Sequence, residues 1–330
     1  MHIHPMWQAY PSLEKELDQT LTLMERTIQL NNPTVQEAVL EMIHAGGKLL
    51  RPAYQLLFSQ FGKEKDKDSK KTIALAASIE MLHTATLIHD DIVDQSDLRR
   101  GLPTIQAKFG TDTAVYAGDY LFVCCFKLLS DYASSLKSIQ LNSRSMEKVL
   151  TGELSQMNRR YDYSGGVEAY LENISGKTAE LFALSSFIGA YEAGCSQKFS
   201  NNCRQIGLNI GLAFQMIDDI LDYDGTRDTL GKPVLEDVRQ GVYSLPLLLA
   251  LEENKAELLP LLSKKGDISD SQVQEVYQLV QRSNGVKKAR QMADDYTQKA
   301  LKAIEKLPTT PQNTKEILGQ LTTQILKRKS

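Results

Sequence analysis

Apolar residues recur at helical spacing along almost the whole chain, as in Leu13, Leu17, Leu21, Met24 and Ile28, and no stretch alternates cleanly as a half-buried strand would. The periodicity predicts an all-α fold. Breaks fall at Asn31-Asn32-Pro33, Gly62 to Lys71, Gly101 to Pro103, Ser164 to Gly166, Gly225 to Pro233, Lys264 to Ser269 and Pro308 to Pro311, where turn residues or charge runs interrupt the pattern. Two segments, Thr72 to Val93 and Asn201 to Leu221, are apolar on nearly all sides, which suits helices surrounded by others at the middle of a bundle. No repeat of solenoid period and no Pro- or Ser-rich linker divides the 330 residues, so one domain spanning 1–330 is expected.

Composition narrows the class of function. A formal net charge of -3 leaves no basic excess to neutralise a phosphate backbone, so nucleic acid is not an expected partner. The mixed run KEKDKDSKK lacks aromatics and reads as a solvated loop. The four cysteines form no C-x-x-C pair and no leader pattern opens the chain, which points to a reducing cytoplasm. Charge-free stretches such as Gln205 to Ile217 and Leu181 to Tyr191 fall short of the roughly 18 apolar residues a spanning helix needs, so no membrane span is expected.

Each of the two apolar helices ends in aspartates. Asp90-Asp91-Ile92-Val93-Asp94 and Asp218-Asp219-Ile220-Leu221-Asp222 repeat one spacing, and residues four apart share a helical face. Like charges placed there repel unless cations compensate them. One such triplet is ordinary surface acidity; two, each abutting an apolar helix, point to a bound cation. Hard oxygen donors favour Mg²⁺, which typically bridges one or two carboxylates to substrate phosphates, so a diphosphate is implied. Zinc is disfavoured because neither cluster has His and Cys at ligand spacing, and His89 falls on another face from Asp90.

Candidate anion contacts accompany the acids. Gly46-Gly47-Lys48-Leu49-Leu50-Arg51-Pro52 puts two cations three apart after a glycine pair, and Arg99-Arg100 follows the first acidic cluster. Either pair alone also reads as surface charge. His83 lies seven residues before Asp90, on the same face about two turns away, where a buried structural histidine is the plain alternative. Lys177-Thr178 and Lys232 are further candidates for phosphate contact.

The segments GGKLLRP, MLHTATLIHDDIVDQSDLRRG, GKTAEL, FQMIDDILD and GKPVLEDVRQG, in this order from Gly46 to Gly241, closely resemble the trans-isoprenyl diphosphate synthase family, in particular the catalytic chain of heptaprenyl-type synthases. The resemblance implies a single-domain antiparallel helical bundle around a deep central cavity, with the two aspartate motifs facing each other at its mouth. It assigns Asp90, Asp94 and Asp218 to magnesium, with Asp91, Asp219 and Asp222 completing the motifs, and implies three Mg²⁺. Arg99, Lys177, Thr178, Gln215 and Lys232 match contacts to an allylic diphosphate, whereas Lys48, Arg51, His83 and Arg100 match the pocket for isopentenyl diphosphate. The implied reaction ionises the allylic diphosphate to a carbocation, which the double bond of isopentenyl diphosphate attacks. No protein nucleophile is required, in keeping with the absence of a Ser-His-Asp or Cys-His signature.

Product length should follow from the residues below the first aspartates. Ala85 and Thr86, five and four residues before Asp90, are small, where short-chain family members often carry an aromatic. Leu82 and Ile79 lie deeper, and Phe122 or Phe126 on the next helix are candidates to close the tunnel. A product of about C30 to C50 is expected, since each isoprene unit needs several ångström along a helix rising ~1.5 Å per residue. A short-chain product is the alternative. Leu49 and Val242 depart from the family pattern, which often has a basic residue at each. The resemblance also implies a homodimer, or a heteromer with a small partner subunit, and a quinone side chain as the product's destination. A cyclase or head-to-head synthase would not need Lys48, Arg51, His83 and Arg100 together, and a non-catalytic subunit would not need both aspartate motifs.

Overall fold

The computed structural model describes residues 3–45, 47–63, 68–224 and 235–327. The all-α expectation holds. In chain order the helices are α1 (Pro11–Thr27), α2 (Pro33–His44), α3 (Leu50–Ser59), α4 (Ser69–Val93), α5 (Ile105–Phe109), α6 (Thr111–Tyr132), α7 (Leu136–Asn158), α8 (Gly166–Ile174), α9 (Glu180–Glu192), α10 (Gln197–Asp224) and α11 (Glu236–Gln240), with further helices between Leu245 and Leu326. Helix starts coincide with the sequence breaks. Asn32 accepts a hydrogen bond from Val35 N at 3.2 Å with Pro33 as the first helical residue, and Ser269 forms a capping box with Gln272.

Two local features depart from the sequence reading. The end of KEKDKDSKK is not loop: Asp68 accepts from Lys71 N at 3.1 Å and starts α4, while Lys71 Nζ donates to Glu192 O at 2.6 Å and Ser134 Oγ at 2.9 Å. A capping aspartate two residues from lysines looks like one more member of a charge run until the apolar helix behind it is counted. The second departure is a pair of two-residue strands, β1 (Leu98–Arg99) and β2 (Leu102–Pro103), paired antiparallel. Two residues per strand are too few to register as alternation.

The described chain falls into two compact units. The first comprises Met1–Ser143, Leu184–Arg204 and Thr310–Thr314. Its centre is α4, which packs most extensively along α6 and also against α1 and α3. Leu75, Ile79 and Leu82 are buried to within 1 %, each worth about 1.5–3 kcal/mol of transfer free energy. This matches the expectation of an apolar helix surrounded by others. Among the described residues, α6 alone is long and apolar enough to cross a membrane by length and composition, a test that core helices also pass. Asp119 and Lys127 interrupt it, so it is not a charge-free run, and its Ala114, Ala117, Leu121, Cys125 and Leu128 are buried.

The second unit comprises Arg144–Ala183, Gln205–Thr309 and Lys315–Ser330. Here α10 buries Ile206, Ile210, Ala213, Met216 and Ile220, and a Cβ on Gly211 would stand 2.5 Å from Ala179 Cα, so that backbones approach closely.

Candidate active site

In the first unit, Asp94 caps α4 and the chain reverses. Gln95 takes a left-handed φ of 49°, Ser96 N donates to Asp91 O at 2.9 Å, and Arg100 and Gly101 at the hairpin tip adopt φ of 52° and 79°. The reversal folds Arg99 back onto the helix it has just left. Its Nε and Nη2 each lie 2.7 Å from Asp91 Oδ1, and Asp91 is 3 % exposed. Burial pushes the Asp91 carboxyl up, Arg99 opposes this by hydrogen bond and charge, and Asp94 adds to the rise. Asp90 is half-buried and Asp94 exposed, one helical turn apart.

The anion contacts expected for isopentenyl diphosphate gather in the same unit. Trp7, fully buried, donates from Nε1 to Lys48 O at 2.9 Å and so anchors the loop that carries Lys48. A Cβ on Gly47 would stand 2.9 Å from Arg100 Nη1, so glycine there leaves room for the guanidinium against this loop. His83 is held well below the ordinary imidazole range, first by burial and then by Arg51, Arg100 and Arg99. It is therefore neutral near pH 7. Glu80, on the same helix, is raised by burial while Arg51 and Arg100 oppose the rise. Glu80, Arg99 and Arg100 also line a pocket with Thr84, Asp91 and Met42; Lys48, Arg51 and His83 do not line it. Leu49, where the family often has a basic residue, is 5 % exposed and left-handed (φ 50°) at the start of α3.

In the second unit, α8 passes into α9 through a single π turn, Ser175–Ala179, which carries Lys177 and Thr178. Lys177 Nζ donates to Glu153 Oε2 at 2.8 Å and Gln156 Oε1 at 3.0 Å, both on α7. Thr178 Oγ1 donates to Gln215 Oε1 at 2.7 Å, and Gln215 Nε2 donates to Asp219 Oδ1 at 2.9 Å. The other oxygen of Asp219 accepts from the Tyr170 hydroxyl at 2.6 Å. Burial pushes Asp219 up to about 7; Tyr170 and Gln215 pull it down, while Asp237 and Asp218 raise it. Asp218 is half-buried and Asp222 exposed. Lys232 lies outside the described residues. Val242 N donates to Asp237 O at 2.8 Å, so the second departure from the family pattern sits on the backbone that fixes α11.

The chain-length candidates divide. Ile79, Leu82, Ala85 and Thr86 are all buried on α4, and the Phe122 ring lies 5.4 Å from that of His89, one turn above Ala85. Phe126 does not join them: it is 41 % exposed and shares a face of α6 with Tyr116 and Val123, as its spacing from them requires. His89 itself bonds Asp119 at 3.3 Å, away from Asp90 as expected. Sequence reasoning missed Glu80, Tyr170, Glu153 and Gln156. Glu80 was detectable, being the one acid inside an apolar helix, whereas nothing in the sequence links Tyr170 to a carboxylate 49 residues later.

The donors available to a metal are carboxylate oxygens at two helix ends, which fit Mg²⁺. Among the described residues no group of three His, Cys, Asp or Glu side chains forms a cage by itself. Mg²⁺ does not require one, because it keeps water and takes phosphate oxygens as ligands.

A predominantly helical chain with two acid-rich helix ends, each with a side-chain donor on its middle aspartate and with arginine or lysine in the same unit, suits the binding of diphosphates with divalent cations. The polyprenyl synthetase family model matches residues 32–280. The heptaprenyl diphosphate synthase component 2 of Bacillus subtilis (strain 168) is 33 % identical over 300 residues, covering 91 % of this chain and 85 % of that protein. The crystal structure of a geranylgeranyl pyrophosphate synthase from Lactobacillus brevis is similar with a TM-score of 0.93 at 43 % identity, covering 98 % of this chain and 99 % of the other. That of a heptaprenyl diphosphate synthase from Staphylococcus aureus has a TM-score of 0.91 at 32 % identity, covering 96 % and 99 %. The chain belongs to the polyprenyl synthetase family. It is a prenyltransferase that acts on prenyl diphosphates, and the family uses Mg²⁺ to bind them.

Proposed function

We propose that this chain condenses isopentenyl diphosphate with an allylic diphosphate to give an all-trans polyprenyl diphosphate of about C30 to C50, a length consistent with ~1.5 Å of helix rise per residue below the aspartates. The observation that carries this is the repeated design of the two helix ends. In each, the middle aspartate is tied to the chain's own donors, Arg99 for Asp91 and Tyr170 with Gln215 for Asp219. Asp90 with Asp94 and Asp218 with Asp222 each stand one helical turn apart, the spacing that puts two carboxylates on one face. Asp90, Asp94 and Asp218 would hold three Mg²⁺, which when bound neutralise the departing pyrophosphate.

The remaining roles fall to side chains. Lys177, Thr178, Gln215, Arg99 and Lys232 hold the allylic diphosphate; Lys48, Arg51, Arg100 and neutral His83 hold isopentenyl diphosphate near the developing cation. The bond from oxygen to the allylic carbon breaks, the isopentenyl double bond attacks that carbon, and a proton leaves for the released pyrophosphate. Buried Ile79, Leu82 and Ala85 keep water from the cation. Small Ala85 and Thr86 favour a long product, as do relatives named for heptaprenyl synthesis. A geranylgeranyl-length product is the second reading, favoured by the tight burial of Ile79 and Leu82 and by the name of the Lactobacillus brevis protein. The working form is taken as a cytoplasmic homodimer, supported by the exposed Tyr116, Val123 and Phe126 on α6. A small partner chain is the alternative that the name "component 2" raises.

The test incubates purified protein with Mg²⁺, farnesyl diphosphate and labelled isopentenyl diphosphate, with products read by mass spectrometry. Extension to C30 or beyond supports the proposal; extension that stops at geranylgeranyl diphosphate moves it to the second reading. Inactivity that a second polypeptide relieves shows the heteromer, and inactivity that nothing relieves refutes the function.

A further inference from the structure

Asp219 is held at both oxygens by two different helices. Each of its oxygens already accepts a hydrogen bond, Oδ2 from the Tyr170 hydroxyl at 2.6 Å and Oδ1 from Gln215 Nε2 at 2.9 Å. Gln215 stands four residues earlier on the same helix, so it alone would let the carboxylate swing with its own helix. Tyr170 comes from α8 and supplies the second fixed point. It is 7 % exposed, and burial together with Asp219 raises its hydroxyl well above the ordinary phenol range, so it remains a donor at every pH of interest. A hydroxyl 2.6 Å from a carboxylate oxygen is within the range of a charge-assisted bond. The same carboxylate connects through Gln215 to Thr178, one of the allylic diphosphate contacts.

Resting on the function proposed above, we propose that Tyr170 is a positioning residue for the second aspartate cluster. Its hydroxyl locks Asp219 in one rotamer, so that Asp219 orients the neighbouring metal ligand Asp218 and the Gln215–Thr178 pair, and takes no metal directly. Residues in this relation to a ligand typically change metal affinity or activity by about 10–100-fold when lost.

The experiment is a double-mutant cycle on metal binding. Wild type, Tyr170→Phe, Asp219→Asn and the double variant are each saturated with an allylic thiolodiphosphate, which does not ionise, and titrated with Mg²⁺ in a calorimeter. Tyr170→Phe should weaken Mg²⁺ binding by about tenfold or more. The double variant should be no weaker than Asp219→Asn beyond about twofold, since both changes remove one device. Isopentenyl diphosphate binding should be unchanged in Tyr170→Phe, and thermal melting without metal shows whether α8 stays folded. If Tyr170→Phe melts early, Asp219→Asn with Tyr170 intact carries the test, and unchanged Mg²⁺ affinity in it overturns the proposal. Mg²⁺ affinity equal to wild type in Tyr170→Phe, or single effects that multiply in the double variant, would also overturn it. A wild type that takes up no Mg²⁺ with the analogue would instead refute the proposed function.

Discussion

The end of α4 and the end of α10 carry the same five-residue spacing of aspartates, yet the two units restrain the middle one differently. Asp91 directs one oxygen to a guanidinium, with both bonds at 2.7 Å. Asp219 gives one oxygen to a phenol and the other to an amide, both neutral. Burial raises both carboxyls, Asp219 up to about 7; at Asp91 the rise is opposed by the hydrogen bond and charge of Arg99, at Asp219 by the hydrogen bonds of Tyr170 and Gln215. One sequence pattern thus yields an anchor held by charge in one unit and an anchor held by hydrogen bonds in the other.

The largest expected effect is common to both ends. Asp90→Asn and Asp218→Asn should each lower kcat/KM by about 10²–10³-fold or more, as loss of a group that stabilises developing charge does; an unequal result, with one variant near wild type, would break the symmetry of the two outer pairs. The anchors should differ in stability. Arg99→Ala strands a buried carboxylate and should cost about 1–3 kcal/mol, whereas Tyr170→Phe leaves Asp219 its bond to Gln215 and should cost about 1 kcal/mol. Urea melts of both variants check the order, and a larger loss for Tyr170→Phe would reverse the comparison. Ala85→Phe, which fills the column below Asp90 in the first unit only, should shorten the product while leaving binding of the allylic diphosphate within about twofold, as for separated sites; unchanged chain length by mass spectrometry counts against the tunnel assignment.

The smallest effect concerns His83. Its folded pKa lies below the unfolded value, so the unfolded chain takes up the proton first as pH falls below about 6.5, and stability contributed near pH 7 is lost on the acid side. His83→Gln should flatten that part of the pH dependence of the melting midpoint. A slope unchanged by the substitution would show that His83 is not the group responsible.

Much of this was legible in the chain. The all-round apolar character of Thr72 to Val93 and Asn201 to Leu221 announced α4 and α10 as core helices, and their terminal aspartates announced the chemistry. What escaped notice depends on chain reversal or on distance in sequence. The return of Arg99 onto Asp91 needs the left-handed turn at Arg100 and Gly101, and Tyr170 reaches Asp219 across 49 residues. Lys71 escaped because a lysine in a charge run gives no sign that it will bond Glu192. The aromatic character of Phe126 suits a tunnel floor, but its phase on α6 turns it outward.

The most direct measurement is equilibrium dialysis of Mg²⁺ against wild type, Asp90→Ala and Asp218→Ala, each with and without an allylic thiolodiphosphate. Wild type should take up Mg²⁺ together with the analogue, and each variant should retain fewer ions and bind the analogue more weakly. Uptake of the analogue without Mg²⁺, or ion counts that both substitutions leave unchanged, would contradict the assignment of the two helix ends.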